Sequence, residues 1–304
     1  MDQFVKVPGD NPMNSSLDVS RVKRKFLDLA YGEHPKQKLD IYLPETGEGP
    51  FPTIVYIHGG AFIGGDKRDD QMLYVSDGIV RGYAVVSYEQ RLLPEGVFPL
   101  PVYDTKAALR WLKAHAKEYR LDPERFAIGG DSAGAYYAVF AAATAAIPAF
   151  DGPAPVFPSA SGEVKAVVAQ CGCYDLLRMA PPPEVEAAAP KEFIPGTIPA
   201  NLMSIFIGAK PRLFPDLAAW LNPLTYITKD FPPTLVQVGR EDTVVPCSES
   251  VQLAAVIVEK CGRERVRFDA HDGWNHCALN HIVTADWFMK ANLDRVFAFL
   301  NEVL

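Results

Sequence analysis

The stretch Gly130-Asp131-Ser132-Ala133-Gly134 places a serine between two glycines, after the apolar run Arg125–Ile128 and before an alanine-rich stretch from Ala133 to about Ala146. A G-x-S-x-G between a strand and a helix forms a turn so tight that the serine takes a strained backbone and exposes its hydroxyl. The flanking residues must be small, because strand and helix approach closely there. Ser132 is therefore a candidate nucleophile for acyl transfer, and such a serine needs a base. The chain has six histidines: His34, His58, His115, His271, His276 and His281. His34 precedes the first strands, His58 belongs to a glycine-rich loop, and His115 lies on a helical stripe. His276 follows the run Val266–Ala270 in the loop Asp272-Gly-Trp-Asn275 and precedes the last helical stripe, where a terminal base would sit. Imidazole suits proton transfer near neutrality. His271 is the rival, but a structural role fits a strand end better. The orienting acid is expected between serine and histidine. Asp242, in Val238-Gly-Arg-Glu-Asp242, follows the run Thr234–Val238. Glu241 is the alternative, and it would project elsewhere if Asp242 faces the histidine.

A second signal is His58-Gly59-Gly60-Ala61-Phe62, directly after the run Thr53–Ile57. Acyl transfer requires donors for the oxyanion of the tetrahedral intermediate, and each backbone N–H so used is worth ~3 kcal/mol. Glycines let such a loop present its amides without side-chain interference.

These residues need a scaffold that brings strand ends together. The apolar runs Thr53–Ile57, Tyr83–Ser87, Arg125–Ile128, Val164–Ala169, Thr234–Val238 and Val266–Ala270 read as strands covered on both faces. Between them lie amphipathic stripes. Ala108, Trp111, Leu112, His115 and Tyr119 make one. Val251, Ala254, Ala255 and Val258 make another, capped by Ser248 and ended by Gly262. Met289, Leu293, Val296, Phe297 and Leu300 make a third. Alternation of this kind predicts an α/β fold: a mostly parallel central sheet with helices on both faces. Two proline-rich insertions interrupt it, Pro148 to Glu163 and Cys171 to Thr228. Active sites of such sheets gather at the carboxyl ends of the strands. The first insertion joins helix to strand and belongs at the opposite edge. The second follows a strand, so residues about 174–228 are expected to overhang the site as a cap on a single domain.

Composition narrows the class. The 304 residues are 48% hydrophobic and 22% charged, which fits a globular domain, and the 26 prolines indicate long structured loops. A net charge of -7 argues against a nucleic-acid partner. No window is long and apolar enough for a membrane span, and residues 1–26 lack a signal-peptide core. The cysteines Cys171, Cys173, Cys247, Cys261 and Cys277 are odd in number and lack C-x-x-C spacing. That argues against a disulfide framework and a structural zinc site, and free thiols suit the cytoplasm. No metal or organic cofactor is expected.

The chain resembles the α/β-hydrolases of the hormone-sensitive-lipase-like esterase group, closest to the branch of feruloyl and acetylxylan esterases. The matching pieces are Gln37-Lys-Leu-Asp-Ile-Tyr-Leu-Pro44, His58-Gly-Gly-Ala-Phe62, Val102-Tyr-Asp-Thr-Lys-Ala-Ala-Leu-Arg-Trp-Leu112, the segment Leu121 to Gly134, and Pro232-Pro-Thr-Leu-Val-Gln-Val-Gly239. The resemblance implies Ser132 as nucleophile, His276 as base and Asp242 as its orienter. It also implies an oxyanion hole from the amides of Gly60, Ala61 and Ala133, with Gly59 shaping the loop. The chain departs from the pattern at Ala61, where a third glycine is usual, at Ala135-Tyr136-Tyr137, and at Tyr88-Glu-Gln-Arg91, where Arg91 is placed to pair with Asp104. The implied activity is hydrolysis of a small-molecule carboxylic ester, short-chain or aromatic. Two alternatives are an amidase or formamidase of the same fold and a non-catalytic binding homologue.

Overall fold

The computed structural model describes residues 3, 5–8, 15–189, 199–279, 282–283, 287 and 289–304. Its centre is an eight-stranded sheet: β1 (Lys25–Ala30), β2 (Lys38–Tyr42), β3 (Phe51–Ile57), β4 (Ala84–Tyr88), β5 (Leu121–Asp131), β6 (Ala166–Gln170), β7 (Thr234–Gly239) and β8 (Val266–His271). The order across the sheet is β8-β7-β6-β5-β3-β4-β2-β1. β1 pairs antiparallel with β2 and β2 with β4, while every other neighbouring pair is parallel. All six expected strands are present, with β4 starting at Ala84 rather than Tyr83 and β6 at Ala166 rather than Val164.

The continuous apolar runs have a packing reason. Successive side chains of a strand point to opposite faces, and both faces of this sheet are covered. On β3, Val55 and Ile57 enter a core shared with α1 (Leu100–Ala114), α2 (Ala133–Ala143) and α3 (Cys247–Cys261). Ile54 and Tyr56 enter the opposite core, shared with α4 (Lys290–Val303). The edge strand β1 instead alternates between half-buried and exposed positions.

The structure corrects two further boundaries. β5 begins at Leu121 rather than Arg125, because Leu121 already pairs with Phe51 of β3. Ser248 does not cap α3. The helix starts at Cys247 behind Pro246, and Ser248 lies within its first turn. The C-terminal expectation holds, with Gly262 at φ 103° ending the helix, a conformation suited to a residue without Cβ.

Of the second insertion, residues 171–189 and 199–228 are described; its apolar residues Phe193 and Ile194 lie outside the described residues. Its described residues include the short α-helices Pro183–Ala188, Leu202–Ile207 and Pro215–Trp220. Glu249 of α3 accepts the amides of Tyr174 and Asp175, and Tyr136 of α2 donates its hydroxyl to the Leu221 carbonyl at 2.7 Å. Phe206 is fully buried, whereas Phe214 is exposed.

Arg91 and Asp104 pair as expected. The Asp104 carboxylate is wholly buried and accepts from Arg91 Nη2 at 2.6 Å, Arg91 Nε at 2.9 Å and Gln37 Nε2 at 2.7 Å. Removing one partner of a buried pair leaves an uncompensated charge and costs roughly 3–5 kcal/mol. Asp104→Ala is therefore expected to lower the unfolding free energy by about 3 kcal/mol in urea denaturation. Asp230→Ala, which breaks the exposed pair with Lys229, is expected to leave the midpoint unchanged.

Candidate active site

The turn from β5 into α2 puts Ser132 at φ 53° and ψ -119°, a conformation an L-residue adopts at a cost of about 1–3 kcal/mol. The Ser132 amide donates to the Gln170 carbonyl of β6 at 2.9 Å, which anchors the strained residue to the neighbouring strand. The flanking glycines are required by distance. A Cβ on Gly134 would lie 2.1 Å from the Ile57 carbonyl oxygen, and one on Gly130 would lie 2.5 Å from the same atom. The end of β3 thus presses directly on the turn, and the loop that follows β3 starts beside Ser132.

That loop has an unusual backbone. Gly60, Ala61 and Phe62 all have positive φ, at 112°, 52° and 64°. Among the described residues, the amides of Gly60, Ala61 and Ala133 have no hydrogen-bond acceptor. The amide of Gly59 is different. It donates to Gln71 Oε1 at 2.7 Å and to Asp131 Oδ1 at 3.2 Å. Its amide is already committed, which leaves Gly59 outside the set of open donors and fixes the shape of the loop. A Cβ there would meet Asp131 Oδ2 at 2.6 Å. Phe62 stacks on Phe206 of the second insertion with centroids 4.0 Å apart and planes 13° apart.

Asp242 and His276 come together. His276 Nδ1 lies 2.7 Å from Asp242 Oδ2, and the two side chains are 3% and 0% exposed. The other oxygen, Oδ1, accepts the amides of Val244 and Val245, so one carboxylate holds both its own turn and the imidazole. Glu241, the alternative acid, is exposed. No direct hydrogen bond joins His276 to Ser132 among the described residues, a separation common before substrate draws such groups together. The other histidines do different work. His271 stacks on Trp274 at 3.9 Å, and His115 on Trp111 at 4.1 Å. His58 is buried, which pushes its pKa down, and its neutral ring donates from Nδ1 to the Gly59 carbonyl at 2.7 Å. His281 lies outside the described residues.

Three features were not read from the sequence. Asp131, inside the serine motif, is fully buried and accepts from the Tyr56 hydroxyl as well as from Gly59. Gln71 and Asp69 complete the support of the loop, Asp69 Oδ1 accepting the Gln71 amide at 3.1 Å. The third corrects the expectation of free thiols: Cys171 and Cys277 form a disulfide across 106 residues, while Cys173, Cys247 and Cys261 are free. Cys277 adjoins His276, but nothing local marks so distant a partner. The cluster Cys171, His276 and Cys277 has metal-ligand proximity, yet its sulfurs are bonded to each other and offer no thiolate.

Burial pushes the Asp131 carboxyl up from 3.8 to about 6, against the lowering effects of Tyr56, His276 and the Gly59 amide. A value raised in the folded state contributes stability that is complete below the unfolded value and lost as pH rises. The shift corresponds to about 3 kcal/mol, lost between about pH 4 and pH 6. Asp131→Asn removes this titration while leaving Gln71 on the Gly59 amide. Chemical denaturation of the variant from pH 4 to pH 7 is expected to show a loss smaller than wild type by about 3 kcal/mol.

The geometry can be set beside known proteins. The family model BD-FAE matches residues 39–257. The chain is 32% identical over 242 residues to LipM of Mycobacterium tuberculosis, a probable carboxylic ester hydrolase, covering 77% of this chain and 52% of LipM. It is 27% identical to the esterase LipC of the same organism, covering 73% and 52%. It spans about half the length of these curated relatives. A truncated carbohydrate esterase from gut microbiota superposes with TM-score 0.78 at 23% identity, covering 92% of this chain and 96% of that one. A propionate-bound thermophilic esterase from Thermogutta terrifontis superposes with TM-score 0.69 at 19% identity, covering 97% and 96%. The matched span holds the loop after β3, the serine turn and the acid after β7. The chain is thus an α/β-hydrolase and belongs to the BD-FAE family.

Proposed function

We propose that this chain is a serine esterase that cleaves carboxylic esters through an acyl-enzyme. The observation that carries this reading is the buried Asp242–His276 pair, 2.7 Å apart, on the same sheet edge as a serine held at φ 53°. His276, fixed at Nδ1 by Asp242, takes the proton of Ser132 as its oxygen attacks the acyl carbon. The open amides of Gly60, Ala61 and Ala133 receive the oxyanion. His276 then returns the proton to the departing alcohol. Water, activated by the same imidazole, releases the acid through a second tetrahedral intermediate.

The names of the relatives, a carboxylic ester hydrolase and esterases, favour esters over amides. The gut carbohydrate esterase and the propionate-bound neighbour support a short acyl group, on a carbohydrate or another small alcohol. Residues about 174–228 act as the cap of a single catalytic domain, a reading supported by the contact of Phe206 with Phe62. No helix among the described residues is long and apolar enough to cross a membrane. The cytoplasmic expectation loses its ground in free thiols. A disulfide persists in oxidising surroundings, which favours such a compartment.

Hydrolysis of p-nitrophenyl acetate tests the assignment. Ser132→Ala and Asp242→Asn are each expected to lower kcat by about 10⁴-fold or more, and a fluorophosphonate probe is expected to label wild type at Ser132 alone. Equal rates in wild type and Ser132→Ala, with no labelling, would overturn the reading.

A further inference from the structure

The loop that carries His276 has little regular structure. From Asp272 to Cys277 it is turn and coil, followed by a hairpin of two residues per strand, Ala278–Leu279 and Ile282–Val283. It is pinned on the β7 side: the Trp274 carbonyl accepts the Glu241 amide, and Asn275 Oδ1 accepts the amides of Thr243 and His276. On the imidazole, Asp242 holds only Nδ1. A ring held at one atom can still swing about that contact, so the direction of Nε2 depends on where the backbone of residue 276 sits.

The disulfide supplies a link on the other side. Cys277 follows His276 directly. Cys171 follows Gln170, whose carbonyl accepts the Ser132 amide at 2.9 Å, and the Cys171 amide donates to the Gln237 carbonyl of β7 at 2.8 Å. Both cysteines are fully buried. Cys277 Sγ also sits 3.3 Å from Asp131 Oδ2, the residue before Ser132. The bridge therefore ties the residue after the histidine to the strand end that holds the serine. The two groups that must exchange a proton share one covalent frame, although 106 residues separate its two ends.

We propose that Cys171 and Cys277 are positioning residues for His276, and that the disulfide aims its Nε2 at Ser132. The proposal rests on the ester-hydrolysis reading above. Opening the bridge requires two electrons: a dithiothreitol thiolate attacks one sulfur, the mixed disulfide resolves, the reagent leaves as its cyclic disulfide, and the two sulfurs take up two protons. Two thiols cannot stand at bonding distance. In a fully buried site they separate by moving backbone, and residue 276 moves with residue 277. A misplacement of about 1 Å costs on the order of 100-fold in rate.

The experiment compares oxidised wild type, wild type reduced by dithiothreitol, and Cys171→Ala/Cys277→Ala, each kept folded as monitored by circular dichroism. Alkylation of denatured, unreduced wild type is expected to modify Cys173, Cys247 and Cys261 and to spare the pair. With the bridge open, kcat for p-nitrophenyl acetate is expected to fall at least about tenfold while KM changes less than about twofold. Oxidised glutathione is expected to restore kcat in reduced wild type and not in the variant. The low-field proton resonance of His276 Nδ1–H, identified by its loss in Asp242→Asn, is expected to broaden or shift when the bridge opens.

Alkylation of all five cysteines in unreduced protein overturns the proposal. So does an unchanged kcat in folded, bridge-free protein, and so does a loss of kcat that merely tracks unfolding. If oxidised wild type hydrolyses no ester beyond the Ser132→Ala background, the esterase reading is what fails. In that event the His276 resonance decides the positioning role: a change on reduction supports it and constancy overturns it.

Discussion

The site depends on one close approach. The last carbonyl of β3 comes so near the serine turn that Gly130 and Gly134 have no room for a Cβ. This contact sets the loop after β3 and the turn after β5 side by side, and Asp131 fixes the distance by accepting the Gly59 amide from within the serine motif. Without it, the open amides of Gly60 and Ala61 would have no defined relation to Ser132. Burying an acid to make this clamp is costly, since its charge is desolvated. Tyr56, Gly59 and the nearby His276 supply the compensating interactions.

Much of this was legible in the residues. The strand runs of β3 to β8 and the serine turn are local patterns, and local patterns report local structure. Asp242 and His276 could be picked because each follows a strand that the fold brings to the same edge. Other features were not legible, for physical reasons. Ser248 looked like a helix cap, but the helix already starts at Cys247, behind Pro246. The commitment of the Gly59 amide requires Gln71, which reaches it only after the chain has folded back. Residues 171 and 277 meet because β6 and the loop after β8 are gathered at one end of the sheet. Counting cysteines sees an odd number and misses the pair.

The two halves of the proposed proton relay are mounted differently. Ser132 sits between a central strand and a buried helix, where packing on every side holds a strained backbone in place. His276 sits on a loop near one edge of the sheet. The carboxylate of Asp242 and the bridge to Cys171 do there what a packed helix does for the serine. Rigidity is thus supplied by different means at the two positions, by close packing in one and by hydrogen bonds and a covalent bond in the other.

The stack of Phe206 on Phe62 links two tasks that are usually considered apart. Phe206 belongs to the insertion proposed to admit substrate, and Phe62 adjoins the amides proposed to receive the developing negative charge. A chain that remodels the helix Leu202–Ile207 to admit a new alcohol also changes what Phe62 rests on. Selectivity and turnover are then inherited together, and a lineage exploring new substrates is confined to exchanges on that helix that keep a flat ring against Phe62. Diversity is easier to accumulate at Phe214 and Leu213, which are exposed and can vary without disturbing that stack.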